Sequence, residues 1–469
     1  MPTECTTKSL EFQPLGSRKI IARFDGGAIS SDGGGLLLGQ CERKVGILRQ
    51  FARCFMDHRD PQRIEHTVEE LVAQRVYGLA LGYEDLNDHD DLRHDPMLAA
   101  VVGKSDPTGQ TRKKESDRGK ALAGKSTLNR LELTLAGATS AQRYKKIEMD
   151  AQAVQRYFVE VFLQAHDRAP AEIILDLDAT DDLIHGNQEG RFFHGYYDAY
   201  CYLPLYIFCG EHLLAAKLRP SNIDGAAGSQ EELERIVGQI RCCWPAVKII
   251  VRGDSGFCRD GLMSWCEQNG VDYLFGLARN SRLEKRIEGE LALAKEQYEQ
   301  TGKAARVFSE FEYQTLDSWS RARRVVAKAE HLEKGSNPRF VVTTLTGGPR
   351  ELYEDVYCAR GEMENRIKEQ QLQLFADRTS AATMRANQTR LWFSSVAYVL
   401  MHALRRLALA GTDMARAQCG TIRVKLLKIG ARVKVTVRKV WVSLAECCPY
   451  AELFIRAWEN LRRMAPLRC

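Results

Sequence analysis

Hydrophobic and polar residues follow helical spacing towards both ends of the chain and strand-like spacing in its middle. Helical periodicity predicts helices through about residues 41–103 and again up to about 165, with a polar and basic stretch at 104–130 between them. It returns near 380–410. In the middle, short apolar runs alternate with amphipathic helices, which predicts a mixed α/β sheet.

The first strand of the predicted sheet is Glu172–Asp178, and the strands that follow fall at about 200–209, 212–218, 247–251 and 272–277. Residues 280–350 contain a charged helical stretch and then three β-like runs, which predicts an inserted β-rich unit. A long helix is predicted from about 354 to 375. Basic and apolar residues alternate through 421–442, which predicts a hairpin that turns near Gly430 and has one basic face.

The chain has 469 residues, of which 44% are hydrophobic and 27% charged, as in globular proteins of more than one domain. Its N-terminus lacks the apolar core of a signal peptide, and the most apolar window, 391–404, is interrupted by polar residues and too short to span a membrane. The fourteen cysteines include no Cys-x-x-Cys pair and are expected to be reduced. We therefore expect a cytoplasmic protein with no membrane partner.

The net charge of +6 conceals an uneven distribution. Residues 403–469 contain fourteen Lys and Arg against four acids, so the first 402 residues are slightly acidic. A basic surface of this kind is suited to the phosphates of a nucleic acid. An edge hairpin kept soluble by lysines is the alternative interpretation.

Two motifs are tempting but do not support a ligand site. Gly119–Ser126 matches the consensus of a phosphate-binding P-loop, yet the residues before it are too polar to form the required buried strand. The acidic and histidine-rich run at 84–95 is expected to be a surface loop that flanks helices, not a metal site. Trp319 in the insertion is expected either to stack on a displaced base or to pack in a core.

Acidic residues at two strand positions are better candidates for chemistry. Asp176 and Asp178 lie on one face of the first predicted strand, where burial is costly unless a cation or donor is near. Asp254 follows the apolar strand at 247–251, at the edge where open α/β sheets bind ligands.

A third candidate lies on the predicted helix. Tyr357, Arg360, Glu364 and Lys368 are spaced by three, four and four residues, which places them on one helical face. Such a row of charged residues is ordinarily a solvated surface. The phenol of Tyr357 and the carboxylate of Glu364, a third acid beside the two on the strands, make a functional role a serious alternative here.

With these motifs the sequence resembles the DDE transposases of bacterial insertion sequences, in particular the cut-and-paste group with a β-rich insertion. The resemblance rests on Asp178 in L-D-L-D-A-T, Asp254 in R-G-D-S-G-F, and Glu364 in Y-x2-R-x3-E, and it covers most of the chain. The family motif places its first acid two residues before a Thr, which favours Asp178 over Asp176. It also expects a lysine seven residues after the Glu, where this chain has Gln371; Lys368 is one turn earlier on that face.

The resemblance implies a ribonuclease-H-like mixed-sheet core whose catalytic residues and metal ligands are Asp178, Asp254 and Glu364. Three converging carboxylates need cations, and oxygen ligands suit Mg²⁺, with Mn²⁺ as a possible replacement and two ions as the expected number. The reaction implied is cleavage and transfer of DNA strands at the ends of an insertion sequence. The residues expected to bind DNA are Tyr357, Arg360, Lys368, Arg423, Lys425, Arg432 and Lys434.

The expected partners are double-stranded DNA with terminal inverted repeats, target DNA, and a second copy of the chain on the paired ends, in a bacterial cytoplasm near the nucleoid. We expect five domains or segments: a mainly helical DNA-binding region at 1–165, the first part of the core at 166–279, the inserted β-rich subdomain at 280–350, the second part of the core with the Glu helix at 351–405, and a basic segment at 406–469.

Two other functions fit parts of the sequence. The Asp176–Thr180 run also has the D-x-D-x-T pattern of haloacid-dehalogenase-type phosphatases, in which the first Asp is a nucleophile and the second an acid or base. A DNA-binding protein derived from a transposase, without catalysis, is the non-enzymatic alternative.

Overall fold

The structure is a computed structural model that describes residues 9–464, and its strands alternate with helices through the middle of the chain. The strands are β1 Leu10–Leu15, β2 Arg18–Ala22, β3 Ala28–Ser30, β4 Phe55–Asp57, β5 Ile147–Met149, β6 Glu172–Ala179, β7 Asp182–Leu183, β8 Phe192–His194, β9 Ala199–Tyr202, β10 Leu205–Cys209, β11 His212–Lys217, β12 Lys248–Gly253, β13 Asp272–Leu277, β14 Ala305–Tyr313, β15 Arg323–Leu332, β16 Gly335–Ser336, β17 Arg339–Thr343, β18 Ala431–Val435 and β19 Val440–Leu444.

The helices include several short pieces. The α-helices are α1 Gly35–Val45, α2 Ile47–Ala52, α3 Val68–Leu81, α4 His89–Leu92, α5 Pro96–Val102, α6 Lys125–Leu133, α7 Ala151–Gln164, α8 Ser229–Cys243, α9 Asp260–Gln268, α10 Ser281–Arg286, α11 Glu288–Thr301, α12 Pro349–Glu351, α13 Gly361–Lys368, α14 Met384–Ala408, α15 Cys419–Ile422 and α16 Ala451–Arg463. Tighter 3₁₀ turns lie at Pro61–Arg63, Leu86–Asp88, Glu115–Asp117, Ser255–Phe257 and Cys358–Arg360. Wider π turns lie at Leu352–Tyr357, Glu369–Gln373 and Arg423–Leu427.

The chain divides into two compact units. One combines the chain up to Glu148 with the chain from Val396 onward, and the other is Met149–Ser395. The sequence prediction placed domain boundaries near 165 and 405. The first unit is mainly helical, and its helix α3 has a sharp start because Thr67 and Glu70 form a reciprocal capping box. It also contains the small sheet β19-β18-β3.

The second unit is built on one mixed sheet with the strand order β11-β10-β6-β12-β13-β17-β15-β14. Strands β6, β12 and β13 are parallel, while β10 and β11 run antiparallel on one side. This arrangement of the first five strands is the ribonuclease-H-like core that the sequence predicted. The antiparallel strands on the other side come from the predicted insertion.

The predicted β-rich insertion at 280–350 extends the core sheet. Strand β17 pairs with β13 of the core, and β15 pairs with β17. Helices α10 and α11 precede these strands along the chain. The strands of the core and those of the insertion therefore belong to one continuous hydrogen-bonded sheet.

Alternation along the strands gives the two faces of the sheet different covers. Ile249 and Val251 of β12 face a large apolar core that includes residues of α7, α8 and α9. Ile250, between them, faces a smaller core together with Leu352 and Tyr353. The helical segment 349–373, called here the Glu364 segment, thus begins on the second face.

Candidate active site

Strand alternation places both aspartates of β6 on the face that the Glu364 segment covers. Ile174 packs against the small apolar core that includes Leu352 and Tyr353 of that segment. Asp176 and Asp178 share its side of the strand because they are two and four positions further on. The Glu364 segment therefore lies on the face of the sheet from which the strand carboxylates project.

Asp176 is held by a buried ion pair. The guanidinium of Arg252 donates from Nε and Nη2 to its two oxygens at 2.5 and 2.8 Å, and both side chains are about 7% exposed. The two residues face each other in the register of β6 and β12. Arg252 also donates to the carbonyl of Val356. Asp176 therefore fixes the sheet to the Glu364 segment, and its lone pairs are engaged by Arg252.

Asp178, in contrast, has no such partner and lies among other charges. Burial raises the pKa of Asp178 to about 7, the nearby charges of Asp254 and Glu364 add to the rise, and the guanidinium of Arg360 opposes it. Its Oδ1 accepts the N–H of Ala179 at 3.0 Å. The carboxyl is thus in a negative environment that favours a bound cation.

Asp254 follows directly after β12, as the sequence predicted, and its Oδ1 accepts the N–H of Gly256 at 2.8 Å. Gly276 of β13 leaves space beside it: a Cβ there would lie 2.5 Å from the hydroxyl of Tyr357 and 2.9 Å from the N of Ser255. The missing side chain at this one position lets the tyrosine and the Asp254 turn approach the strand together.

Arg360 lies between the first and third carboxylates. Its Nη2 is 3.3 Å from Oε1 of Glu364, and its Nη1 is 3.9 Å from Oδ1 of Asp178. Nη1 is buried and has no hydrogen-bond acceptor within residues 9–464. The side chain of Glu364 is 46% exposed, and that of Arg360 only 16%.

The three carboxylates are neighbours but do not form a closed metal centre. Within residues 9–464, no three His, Cys, Asp or Glu side chains are grouped closely enough to hold a metal ion. The donor set nevertheless fits a hard divalent cation, because all its ligands are carboxylate oxygens and the pKa of Asp178 is raised partly by like charges. Within residues 9–464, the guanidinium of Arg360 is the cation that lies between Asp178 and Glu364.

The residues predicted to bind DNA have different environments. The side chain of Tyr357 extends from the Glu364 segment towards Gly276 of the sheet, and burial raises the pKa of its hydroxyl. Lys368 is exposed at the end of α13. Gln371, at the position of the expected lysine, donates to the carbonyl of Asp181 at 3.0 Å.

The predicted basic hairpin is wrong in its first half. Residues 421–427 are helical, and the hairpin consists of β18 and β19. Arg423 is turned inward and donates to the carbonyls of Ala80 and Leu79, so it is not a phosphate ligand on a strand. Lys425 lies near the ring of Tyr450. Arg432 and Lys434 are exposed on β18, as the alternation predicted.

Other motifs have structural roles. Trp319 is 6% exposed and packs edge-on against Tyr313, so the core interpretation is confirmed. In the acidic run, His89 is buried against Gln74, and burial lowers the pKa of its ring to about 3. The P-loop-like run has no strand before it: helix α6 begins at Lys125 after an irregular stretch.

Sequence reasoning missed Arg252 and Gly276. Arg252 could have been found, because it precedes Asp254 by two residues and would lie beside Asp176 if the strands were aligned by their apolar runs. Gly276 carries no signal in one sequence, since its role depends on the approach of the tyrosine from a distant segment.

Comparison with known proteins identifies the family. Residues 12–466 match the model of Transposase DDE domain group 1. The chain therefore belongs to the DDE transposases and is a DNA transposase, an enzyme of a class that uses divalent metal ions. No curated protein matches the chain.

Among solved structures, the chain is similar to a piggyBac transposase in a synaptic complex with hairpin DNA, with 9% identity and a TM-score of 0.40. The match covers 84% of this chain and 79% of that one. None of the helices in the described part of the chain is long and apolar enough to cross a membrane.

Proposed function

We propose that Asp178, Asp254 and Glu364 are the catalytic carboxylates of this transposase and that they hold Mg²⁺, with Mn²⁺ as a substitute and two ions in the complete site. The observation that carries this proposal is geometric: Arg360 lies 3.9 Å from Oδ1 of Asp178 and 3.3 Å from Oε1 of Glu364. In agreement with this, burial and the charges of Asp254 and Glu364 raise the pKa of Asp178. When bound, such ions activate a water or 3′-hydroxyl and stabilise the leaving oxygen. The buried pair of Asp176 and Arg252 supports Asp178, not Asp176, as the first acid.

The chain's own residues position the DNA. Arg360 has a buried Nη1 that lacks an acceptor, and a phosphate oxygen beside Asp178 would satisfy it. The hydroxyl of Tyr357 lies near Asp254 and is a second donor. We infer that these two side chains bind the phosphate that flanks the scissile bond, and that Lys368 contacts the backbone one turn further along.

A basic pocket in the first unit supports a role for the amino-terminal region in holding DNA. The pocket has a volume of about 300 Å³ and includes the start of helix α6. Seven cationic side chains line it, against three acids: Arg59, Arg63, Arg93, Arg112, Lys114, Lys120 and Arg130, with Glu65, Asp90 and Asp117. Phosphates of double-stranded DNA are the ligands that such a surface suits.

The proposed substrates are terminal inverted repeats and target DNA in a bacterial cytoplasm, with a dimer formed on the paired ends. The phosphatase alternative requires Asp176 as a free nucleophile. Both oxygens of that residue accept hydrogen bonds from Arg252, so this structure does not favour it.

The test is cleavage of a DNA fragment that carries the candidate ends, by purified protein in Mg²⁺. Asp178→Asn, Asp254→Asn and Glu364→Gln should each reduce nicking and joining by at least about a thousandfold while DNA binding persists. Glu351→Gln is the matched control, because Glu351 is exposed in the same segment and outside the site. Cleavage that survives the three substitutions, or wild-type binding without nicking, would refute the proposal.

A further inference from the structure

A second polar pocket lies in the Met149–Ser395 unit, just past the end of β6. It has a volume of about 300 Å³. The chain after β6 contributes Asp181, Asp182, Leu183, His185 and Gln188 to its wall; the end of the Glu364 segment contributes Gln371 and Leu372, and the loop that follows contributes Asp377, Arg378, Thr379 and Ser380. None of these residues has a role in the function proposed above.

Several buried polar atoms of the wall have no partner. Both carboxylate oxygens of Asp182, whose residue is 2% exposed, lack a hydrogen bond within residues 9–464. The same holds for Oε1 of Gln188, while the hydroxyl of Thr379 lies close to Asp182 and lowers the pKa of its carboxyl. Buried polar atoms are almost always hydrogen-bonded in proteins, so the open acceptors of Asp182 and Gln188 around one pocket indicate a ligand that donates to them.

The pocket is also electrically negative. Asp181, Asp182 and Asp377 outnumber its one permanent cation, Arg378. Burial raises the pKa of Asp182 well above its ordinary value, and the charges of Asp377 and Asp181 add to the rise. The pKa of Asp377 is raised by burial as well, against the opposing effect of Arg378. The charge favours a cationic ligand.

The lining indicates which kind of cation. Leu183 and Leu372 form part of the wall, and an apolar surface of this kind suits a carbon chain better than a hydrated ion. The unpartnered oxygens of Asp182 and Gln188 are hydrogen-bond acceptors, and the N–H groups of an ammonium can donate to them.

We propose that this pocket binds an aliphatic ammonium group. Its N–H groups donate to Asp182 and Gln188, and its carbon chain packs on Leu183 and Leu372. The same chemistry is found in a free polyamine and in a lysine side chain from a second copy of the chain. The site is separate from the catalytic carboxylates and does not depend on the role proposed for them.

A substitution at Gln371 can place an ammonium group in the pocket from the chain itself. Its side chain lines the pocket and is bonded to the carbonyl of Asp181. A lysine at this position would bring its own ammonium to the same acids. Gln371→Lys should therefore replace the external ligand without unfolding the chain.

The experiment measures thermal unfolding of the full chain in metal-free buffer at fixed ionic strength, with spermidine added. The melting temperature of the wild type should rise with spermidine. The spermidine concentration that gives half of the maximal rise should be at least tenfold higher for Asp182→Asn. Gln371→Lys should melt no lower than the wild type and respond at least tenfold more weakly. Tetramethylammonium, which has no N–H donors, should produce no shift. Asp198→Asn is the control for charge, because Asp198 is exposed and outside the pocket.

The oligomeric state distinguishes the two sources. If the ammonium belongs to a second copy, the dissociation constant of the dimer should rise at least tenfold in Asp182→Asn, and spermidine should dissociate the wild-type dimer. If a free polyamine is the ligand, the oligomeric state should be the same in both proteins. The proposal is overturned if spermidine stabilises all the variants equally, or if it has no effect on the wild type while the oligomeric state is unchanged. Gln371→Lys keeps the test valid even if Asp182→Asn fails to fold.

Discussion

Two aspartates on one face of β6 have opposite surroundings. Asp176 accepts both hydrogen bonds of the Arg252 fork, whereas Asp178 lies near two other acids and at the edge of Arg360. The sequence could place both residues on the same face. It could not show which one is neutralised, because that depends on the register between β6 and β12.

The Asp176 pair should matter mainly for stability. Asp176→Asn leaves the Arg252 guanidinium buried without its counter-charge, so the free energy of unfolding should fall by about 3–5 kcal/mol. Chemical denaturation measures this loss. The double variant Asp176→Leu with Arg252→Met should recover most of it. An Asp176→Asn protein as stable as the wild type but inactive would show instead that Asp176 takes part in catalysis.

Asp178→Asn should make the metal-free protein more stable at high pH. The pKa of this carboxyl is about 7 in the folded chain against an ordinary value of 3.8, so the folded state holds the proton more tightly. Wild-type stability therefore falls as the pH rises from about 4 to 7. At pH 8 the variant should be more stable by about 2–4 kcal/mol, and the difference should vanish near pH 4.

The measurement is urea unfolding at several pH values, with EDTA and then with Mg²⁺. Divalent metal should stabilise the wild type and leave the variant almost unchanged. Equal stability of the two proteins at pH 8 without metal would show that burial and the neighbouring charges do not raise the pKa of Asp178.

Among the elements, the strands of the core were predictable and the details of the helices were not. Runs such as Ile249–Val251 are apolar on both faces, which is typical of a strand covered on two sides. The Glu364 segment was predicted as a regular helix, but it contains π turns at Leu352–Tyr357 and Glu369–Gln373. Such turns depend on tertiary packing, and no residue type in the sequence predicts them.

Residues 421–427 show how one pattern can fit two structures. Basic and apolar residues alternate there as in a strand, yet Ile422 and Leu426 are four apart and both are buried, as in a helix. These residues form a helical turn because it buries Ile422 and Leu426 against other residues of the first unit. The alternation identified the exposed cations correctly only in β18.

The β18 hairpin gives a prediction about DNA affinity. Replacing Arg432 and Lys434 by Ala should weaken binding to any DNA sequence and should lower the slope of log affinity against log salt by about 2. Binding measured from 50 to 300 mM salt tests this. Arg423→Ala should lower stability and leave the slope unchanged, because its guanidinium is bound to backbone carbonyls. An unchanged slope in the double variant would exclude the hairpin from the DNA interface.

At the scale of the whole molecule, the chain's length reflects a core sheet made wider by an insertion. The sequence indicated the insertion because 110 residues separate Asp254 from Glu364, far more than a strand and a helix need. It could not show that the inserted strands join the core, since strand pairing between distant segments leaves no local signal. The basic segment at 403–469 was visible from composition alone.

Removing the insertion should therefore damage the core. A variant in which residues 281–337 are replaced by a short Gly-Ser turn would connect β13 directly to β17. It would leave β17 as an open edge and would uncover Phe340 and Val342, which are now 3% and 0% exposed. We expect aggregation, or a melting temperature at least about 10 °C lower, in solubility and calorimetric assays. A soluble variant with the wild-type melting temperature would show that the insertion is an independent appendage.

The continuous sheet also sets the moment during synthesis at which the three proposed catalytic acids can come together. During synthesis, Asp178 and Asp254 leave the ribosome early, but Glu364 emerges only after β17 has been made. The Glu364 segment then needs the apolar surface that includes Val326 and Val341, both contributed by the insertion. A nascent or truncated chain thus carries two of the three proposed catalytic acids without the third, and the proposed site is complete only once the whole sheet has formed.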